Sequence, residues 1–286
     1  MRIAAIGLAA LTMLTAAASP APQAVPIKPD TMIRWDTANG PAAYRLGQVT
    51  VRMQRRRTGD LYAPVLTISS PGMAPVRIAA EPDHDSWGVR IGIGVLRRGE
   101  MPSVVLNTYT DGTHCCRHIR AVVPSGGRWR VVDLDAWDGI ELDWPRDVNG
   151  DGLADFQLQD SRFDYALGGY AAGLTPLQIL NIRGGKAVDV STEPGFAPLF
   201  RADRDAMARD CFPARQAQAC LAYAADEARL GRFDMALSRL RQTFTPKADA
   251  DPSIWWTCLE SPPAWCRSTY TGTLRAFLQH TGYIRR

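Results

Sequence analysis

The sequence predicts an α+β protein with its two kinds of structure in separate domains. An antiparallel all-β domain, built as a sandwich or a partial propeller-like assembly, precedes a small disulfide-linked helical domain. Short segments rich in β-branched residues recur between turn sequences over residues 31–195. Helical spacing of apolar residues begins only in residues 196–286, where four of the six cysteines also lie. These observations set the domain boundary near residue 195.

The first 18 residues have the composition of a secretory signal peptide. Arg2 precedes an apolar run that ends in small residues suited to cleavage near Ala16 to Ala18. Residues 19–30 are rich in proline and alanine and predict a flexible lead-in. No later stretch is apolar over the length of a membrane-spanning helix, so no transmembrane anchor is expected. The predicted location is periplasmic or secreted.

The charge balance does not favour a nucleic-acid partner. The formal charge of +4 falls to +3 once Arg2 is removed with the signal peptide, because no other charged residue lies in that segment. Such a surplus is too small to predict binding to nucleic acid. Arg52 and residues 55–57 form a basic cluster beside the turn at 58–60. We interpret this cluster as the solvated end of a hairpin.

The β domain is predicted from alternating, β-branched segments separated by glycine- and proline-containing turns. The predicted strands cover residues 46–53, 62–68, 76–80, 89–96, 103–109, 118–123, 129–134, 156–158, 177–182 and 187–190. Their spacing is even and no helical period lies between them. This pattern favours antiparallel sheets over a parallel α/β sheet.

The helical domain is predicted from apolar residues that share one face. Two such segments lie within residues 217–244 and are separated by Gly231, which suits a helix C-cap and predicts a helical hairpin. A third segment runs from Tyr270 to Gly282. The hairpin, with its small residues and central glycine, resembles a tetratricopeptide-type helix pair. A single pair does not make a repeat array, so a simple helical bundle is the expectation.

Cys211, Cys220, Cys258 and Cys266 are candidates for disulfides, which an exported protein can form. If Cys211 and Cys220 belong to one helix, their α-carbons lie on the order of 10 Å apart along its axis, too far for a bond. We therefore expect each to pair with Cys258 or Cys266, and two local bonds are the alternative.

The remaining cysteines are adjacent in a histidine-containing stretch, His114-Cys115-Cys116-Arg117-His118. Adjacent cysteines can close a vicinal disulfide. With His114 and His118 beside them, they can instead bind zinc or copper. Free or intermolecular thiols are a third alternative. Exported thiolates oxidise readily, so a disulfide is the expected state.

The segment from Asp147 to Asp155 has the oxygen donors of a calcium loop. Asp147, Asn149, Asp151 and Asp155 stand at positions 1, 3, 5 and 9, and a glycine stands at position 6. With a backbone carbonyl near Leu153 and water, these groups supply most of the oxygens that calcium takes. Calcium is therefore the predicted cofactor.

The loop is not an EF-hand, because position 12 is Leu158 and a strand follows. The pattern D-x-N-x-D-G-x-x-D resembles the calcium loop of FG-GAP/VCBS-type β-propeller blades. The resemblance covers residues 145–192, with 176–190 as the rest of the blade. It implies that Asp147, Asn149, Asp151 and Asp155 bind a structural ion. The whole arrangement also resembles a group of exported bacterial proteins, which implies no activity.

The sequence lacks the common catalytic motifs H-E-x-x-H and G-x-S-x-G. An acidic cluster precedes the calcium loop and can hold a second ion or a glycosidase pair of carboxylates. Its members are Asp133, Asp135, Asp138, Glu141 and Asp143. We expect a non-catalytic binding or interaction protein, stabilised by calcium, with a protein or glycan ligand. The alternative is an extracytoplasmic hydrolase or transition-metal or redox protein that uses the 114–118 stretch or the acidic cluster.

Overall fold

The computed structural model describes residues 22–36, 39–81, 89–110, 116–138, 141–164, 166–167, 174–214, 216–243, 258 and 262–285. Within these ranges, thirteen strands form three sheets, and four α-helices follow them in the chain. The predicted fold class, a β-rich antiparallel region followed by a small disulfide-containing helical region, is confirmed.

The first sheet has the strand order β1-β3-β4-β5-β6. Its strands are β1 Val25–Pro26, β3 Ala42–Leu46, β4 Val49–Thr58, β5 Leu61–Ser70 and β6 Met73–Ala79. The strands from β3 to β6 are joined as consecutive antiparallel hairpins. Short β1 instead pairs with β3 in parallel.

The second sheet has the order β10-β9-β8-β7-β2 and is antiparallel throughout. Its strands are β2 Met32–Trp35, β7 Val89–Gly94, β8 Ser103–Tyr109, β9 Arg117–Ser125 and β10 Arg128–Trp137. The third sheet contains β11 Phe156–Gln159, β12 Leu177–Arg183 and β13 Lys186–Asp189, also antiparallel.

The helices are α1 Ala197–Ala214, α2 Ala217–Arg229, α3 Phe233–Thr243 and α4 Tyr270–His280. The turn between α2 and α3 contains Gly231, whose φ of 72° is the left-handed conformation that glycine adopts readily. The predicted helix pair and the final helix are therefore observed. α1 was not predicted as a helix, because charged and apolar residues are mixed along it without a clear apolar face.

The sheets stack face to face with the second sheet in the middle. Neighbouring residues of a strand point to opposite faces. On β8, Val104 and Leu106 pack against the first sheet, whereas Val105 packs against the third. On β12, Leu180 faces the second sheet and Ile179 packs with Phe200 of α1. The order of layers is first sheet, second sheet, third sheet, helices.

The predicted flexible lead-in is wrong for the part that the structure describes. Val25–Pro26 pairs with Tyr44 and Arg45, and the Ile27 amide donates to the Arg45 carbonyl at 3.0 Å. The Asp30 carboxylate accepts a hydrogen bond from the Val95 amide at 3.0 Å. These contacts are largely made by the backbone, so the composition of the segment does not reveal them.

The expected cross-linking of the helical cysteines is also wrong. Cys211 is bonded to Cys220, with α-carbons 4.6 Å apart, and Cys258 is bonded to Cys266, with α-carbons 5.9 Å apart. The expectation assumed that Cys211 and Cys220 share a helix. In the structure α1 ends at Ala214 and α2 begins at Ala217. The chain therefore reverses between the two cysteines and brings them together.

Replacing both Cys211 and Cys220 by alanine should lower the free energy of unfolding by about 2–3 kcal/mol, because the bond closes a short loop and restricts the unfolded chain. Urea unfolding, monitored by circular dichroism, measures this loss. As a control, peptide mapping of the unreduced wild-type protein should recover Cys211 joined to Cys220. Recovery of either cysteine joined to Cys258 would contradict the local pairing.

Candidate functional site

The predicted calcium loop, residues 147–155, lies between the second and third sheets and is bonded to both. The Ala154 amide donates to the Leu96 carbonyl at 2.8 Å, just beyond β7. The Asn181 amide group, on β12, donates to the Ala154 carbonyl at 3.1 Å and to the Asp155 carboxylate at 2.6 Å. A conformational change in the loop would therefore affect both the second and the third sheet.

Within the loop, the carboxylates turn toward the backbone. Asp147 accepts hydrogen bonds from the amides of Gly150, at 2.8 Å, and Gly152, at 3.0 Å. Asp151 accepts one from the Leu153 amide at 2.8 Å. Gly150 and Gly152 have φ angles of 81° and 87°, which side chains with a Cβ rarely adopt. The glycines thus allow the tight turn that collects the oxygen donors.

Asp155 is the buried member of the loop, with no exposed surface. Burial raises the pKa of Asp155 above its ordinary value, and the negative charges of Asp151 and Asp147 raise it further. Hydrogen bonds from the Val148 amide and Asn181 act in the opposite direction. Asp147 and Asp151 therefore lie close enough to Asp155 to disfavour its charged form.

Arginines provide the positive charge next to the loop. Arg98 lies 2.9 Å from Asp147, and Arg183 lies 3.5 Å from Asp151. Among the described residues, no group of three or more His, Cys, Asp or Glu side chains is arranged to hold a metal ion. The donor types of the loop, which are carboxylates, an amide and backbone carbonyls, still match the oxygen preference of calcium. The predicted ligands are thus gathered in one loop.

His118, from the second predicted site, lies between two carboxylates. Its Nδ1 is 2.9 Å from Glu81 Oε1, and its Nε2 is 2.8 Å from Asp133 Oδ1. Cys116 is disulfide-bonded. His114 and Cys115 lie outside the described residues, so the vicinal disulfide and the transition-metal site remain predictions.

Arg120 completes this cluster, two residues after His118 on the same face of β9. Its guanidinium donates to Glu81 at 3.1 Å and to the Thr108 hydroxyl at 3.3 Å. Burial would raise the pKa of Glu81, but the hydrogen bond from His118 and the charge of Arg120 hold it below its ordinary value. Asp133 also has a lowered pKa: burial opposes the shift, while hydrogen bonds from the Asp135 amide and His118 produce it.

Sequence reasoning missed Glu81, because it is distant from His118 in the chain and follows β6. The register that opposes Thr108 to His118 and Arg120 to Asp133 places the polar side chains on one face. Once the strand pairing is known, such a cluster can be identified from polar residues that alternate along neighbouring strands.

The members of the predicted acidic cluster lie in different surroundings in the structure. Asp133 and Asp135 lie at the β-bulge of β10, where Asp135 has a φ of 74°, uncommon for a residue other than glycine. Glu141 lies 2.8 Å from Arg90 and Asp143 lies 3.8 Å from it, so these two serve in ion pairs. Asp138 also has an interaction partner.

An open cavity of about 580 Å³ lies beside the bulge and is bordered by Asp133, Asp135, Asp160 and Arg162. Asp160 accepts a hydrogen bond from Arg162 at 2.8 Å and one from the Tyr283 hydroxyl at 2.9 Å. Near Asp160, the pKa of Asp164 is raised to about 6, mainly by burial and further by the charges of Asp138 and Asp160. Three carboxyl groups, those of Asp133, Asp135 and Asp160, therefore border the cavity, and Asp164 lies outside its lining.

Comparison with known proteins gives one informative similarity. The chain is 31% identical over 202 residues to a protein of Synechocystis sp. named "Probable thylakoid lumen protein". The match covers 66% of this chain and 58% of that protein, so the chain spans less than two thirds of its relative's length. No model of a protein family and no solved structure matches the chain. In the part of the chain that the structure describes, no helix has the length and apolar character needed to cross a membrane.

Replacing Glu81 by glutamine should make the free energy of unfolding less dependent on pH in acid. Because the pKa of Glu81 is lowered by folding, its contribution is complete above the unfolded value of 4.5 and is lost as the pH falls through the folded value. We expect the variant to be less stable than the wild type by about 1–2 kcal/mol at neutral pH. The difference should shrink as the pH falls below about 4.

Urea unfolding across this pH range measures the effect. Glu100→Gln is the control, because Glu100 makes a half-exposed ion pair with Arg97 at 3.2 Å. A stability difference for Glu81→Gln that stays constant with pH would contradict the linkage.

Proposed function

We propose that this chain is an exported, non-catalytic binding or interaction protein whose β domain is stabilised by calcium at residues 147–155. Asp147, Asn149, Asp151, Asp155 and the backbone near Leu153 would hold the ion, which would neutralise the carboxylates and fix the loop. The observation that carries this proposal is the geometry of the loop, in which Gly150 and Gly152 form tight turns that bring the oxygens of Asp147 and Asp151 close to buried Asp155.

The electrostatic reasoning is direct. At neutral pH the three carboxylates repel one another, and Asp155 is also deprived of water. Arg98 is mostly exposed, so its charge is screened by solvent and only partly compensates Asp147. A divalent cation bound among the oxygens would remove this penalty. Because the loop contacts both sheets, calcium would stabilise the packing between them.

The order of donors and glycines in the loop supports a blade of the FG-GAP/VCBS type. The loop leads directly into β11, which pairs with β12, and β12 pairs with β13. A calcium loop followed by antiparallel strands is what the resemblance implies. On this proposal the ion has a structural role.

Export is supported by three features. The first 18 residues resemble a signal peptide, and disulfides are present, as is typical of oxidising compartments. The similar protein from Synechocystis is named for the thylakoid lumen, which lies outside the cytoplasm. We propose a corresponding location for this chain.

The binding role is supported by polar groups that already have hydrogen-bond or ion-pair partners within the protein. Both ring nitrogens of His118 face carboxylates, so neither is available as a free base. Asp160 is held by Arg162 and Tyr283. Such contacts suit a rigid scaffold that presents its surface to a protein or glycan ligand.

Calcium should raise the melting temperature of the purified protein. At a concentration about 100 times its dissociation constant, the ion would add about 2.7 kcal/mol, equivalent to roughly 5–10 °C for a chain of this size. Scanning calorimetry in calcium and in chelator measures the shift. Asp151→Ala should lose it, whereas Asp60→Ala, at an exposed hairpin turn, should keep it.

The shift should also decrease in acid, because protons compete with calcium for Asp155. In chelator the sign is opposite: the raised pKa of Asp155 means that the folded protein loses stability as the pH rises through that value. Equal melting temperatures in calcium and chelator at neutral pH would overturn the proposed ion.

A second candidate function is favoured by the cavity beside the β10 bulge. Asp133 and Asp135 border this cavity. Asp164 lies outside its lining, but its pKa is raised to about 6 by burial and by the charges of Asp138 and Asp160, so it can be a proton donor near neutral pH. Paired carboxyl groups of this kind hydrolyse glycosidic bonds. An extracytoplasmic glycoside hydrolase is therefore the alternative to a binding protein.

For this alternative, hydrolysis of chromogenic glycosides should decrease as the pH rises above about 6, because Asp164 would lose its proton. Asp164→Asn should reduce the rate by at least about 100-fold. Asp143→Asn, an exposed carboxylate outside the cavity, is the control. An absence of turnover across a panel of α- and β-glycosides would exclude this role.

A further inference from the structure

The outer face of the first sheet carries four exposed arginines: Arg45, Arg52, Arg56 and Arg77. Residues that oppose one another on paired strands point to the same face. Arg45 opposes Thr50, Arg52 opposes Thr67, and Thr67 opposes Arg77. Arg56 follows Arg52 by four residues on the same strand and therefore shares its face. We call this surface the arginine face.

The arginine face lacks compensating negative charge. In the described ranges, none of its four guanidinium groups has a hydrogen-bond or ion-pair partner, and no Asp or Glu shares the face. Several arginines elsewhere in the β domain are paired instead: Arg90, Arg98, Arg120 and Arg183 each contact a carboxylate. The arginine face thus places four unpaired positive charges on one side of the first sheet.

The charges of the arginine face extend in two dimensions. The opposite face of the sheet packs on the second sheet through residues such as Val51 and Leu66. Arg52 and Arg77 lie two strands apart, about 10 Å, while Arg52 and Arg56 lie about 13 Å apart along the strand. The positions between them carry uncharged side chains, among them Thr50, Gln54 and Thr67.

We propose that the arginine face binds the surface of an anionic phospholipid bilayer. Guanidinium groups form paired hydrogen bonds with phosphate oxygens, and their charge is attracted by anionic headgroups. A bilayer presents its phosphates in a plane, which suits four arginines spread in two dimensions over one face of a sheet. Each arginine near such a surface strengthens binding about fivefold.

A bilayer fits the face better than a linear polyanion does. A linear acidic polymer is expected to follow a groove or a single row of basic residues, and single-stranded nucleic acids also need aromatic rings for stacking. The four arginines do not form one row. No aromatic residue occupies an outward position of the first sheet in the described part of the chain.

Vesicle sedimentation tests the proposal with the full-length mature protein in chelator, which prevents calcium from bridging lipid phosphates to the acidic loop. The wild type should bind phosphatidylglycerol-containing vesicles and not pure phosphatidylcholine vesicles. The triple variant Arg45→Gln, Arg52→Gln, Arg77→Gln should lose about 100-fold in partition coefficient, from about fivefold for each arginine. The three replaced side chains are exposed, so the melting temperature of the triple variant should match that of the wild type.

The control variant removes the same charge elsewhere through Arg128→Gln, Arg201→Gln and Arg241→Gln, three exposed positions outside the first sheet. It should bind vesicles nearly as well as the wild type. Equal losses in the two variants, or equal binding to neutral vesicles, would overturn the proposal. Binding to soluble polygalacturonate without binding to vesicles would assign the face to an acidic polysaccharide instead. Neither result depends on whether residues 147–155 bind calcium.

Discussion

The buried carboxylate of Asp155 joins the chain segments that hold the middle of the protein together. It accepts hydrogen bonds from the Val148 amide at 2.8 Å and from Asn181 at 2.6 Å, and its own amide donates to the Arg146 carbonyl. Asn181 lies on β12, so the third sheet is fixed to the loop that enters it. The loop is in turn bonded to the end of β7 through Leu96. The loop thus links the second and third sheets by hydrogen bonds.

The helical domain is attached to the third sheet by a second set of buried polar groups. The Asp203 carboxylate, on α1, accepts a hydrogen bond from the Leu177 amide at the start of β12, at 2.8 Å. Arg229 of α2 pairs with Asp189 of β13 at 2.7 Å. Burial raises the pKa of Asp226 well above its ordinary value, and nearby Asp203 adds to the effect. The helices are therefore held at the sheet by polar contacts as well as by apolar packing.

The parts of the structure that could be predicted are those whose sequence pattern involves only a few neighbouring residues. Each predicted strand overlaps an observed one, because alternation and turn residues act over a few neighbours. The segment 46–53 shows the limit: the turn after Leu46 divides it between β3 and β4. The cysteine pairing failed for a related reason. It depended on a helix boundary, and helix ends are poorly determined by sequence patterns.

The candidate sites likewise separate into features that neighbouring residues encode and features that depend on strand pairing. The oxygen donors of residues 147–155 are consecutive in sequence, so their gathering in one loop was predictable, whereas their contact with Asn181 required the pairing of β11 with β12. His118 was identified, but Glu81 and Asp133 reach it from two other strands or their ends. The arginine face is the extreme case. Arg52 was interpreted as part of a hairpin end, and only the strand register reveals that it shares an outward face with Arg45 and Arg77.

The distribution of charge follows from this layering. Acidic groups are concentrated where layers meet, at residues 147–155 and around the β10 bulge, and arginines such as Arg98 and Arg120 compensate them there. Among the described elements, neither the third sheet nor a helix packs on the outer face of the first sheet, and its four arginines are exposed, so these side chains are not required for packing between layers. Unpaired like charges on one surface favour solubility but oppose folding slightly through their mutual repulsion. An anionic partner would remove this repulsion, which is consistent with the proposed interaction role of the arginine face.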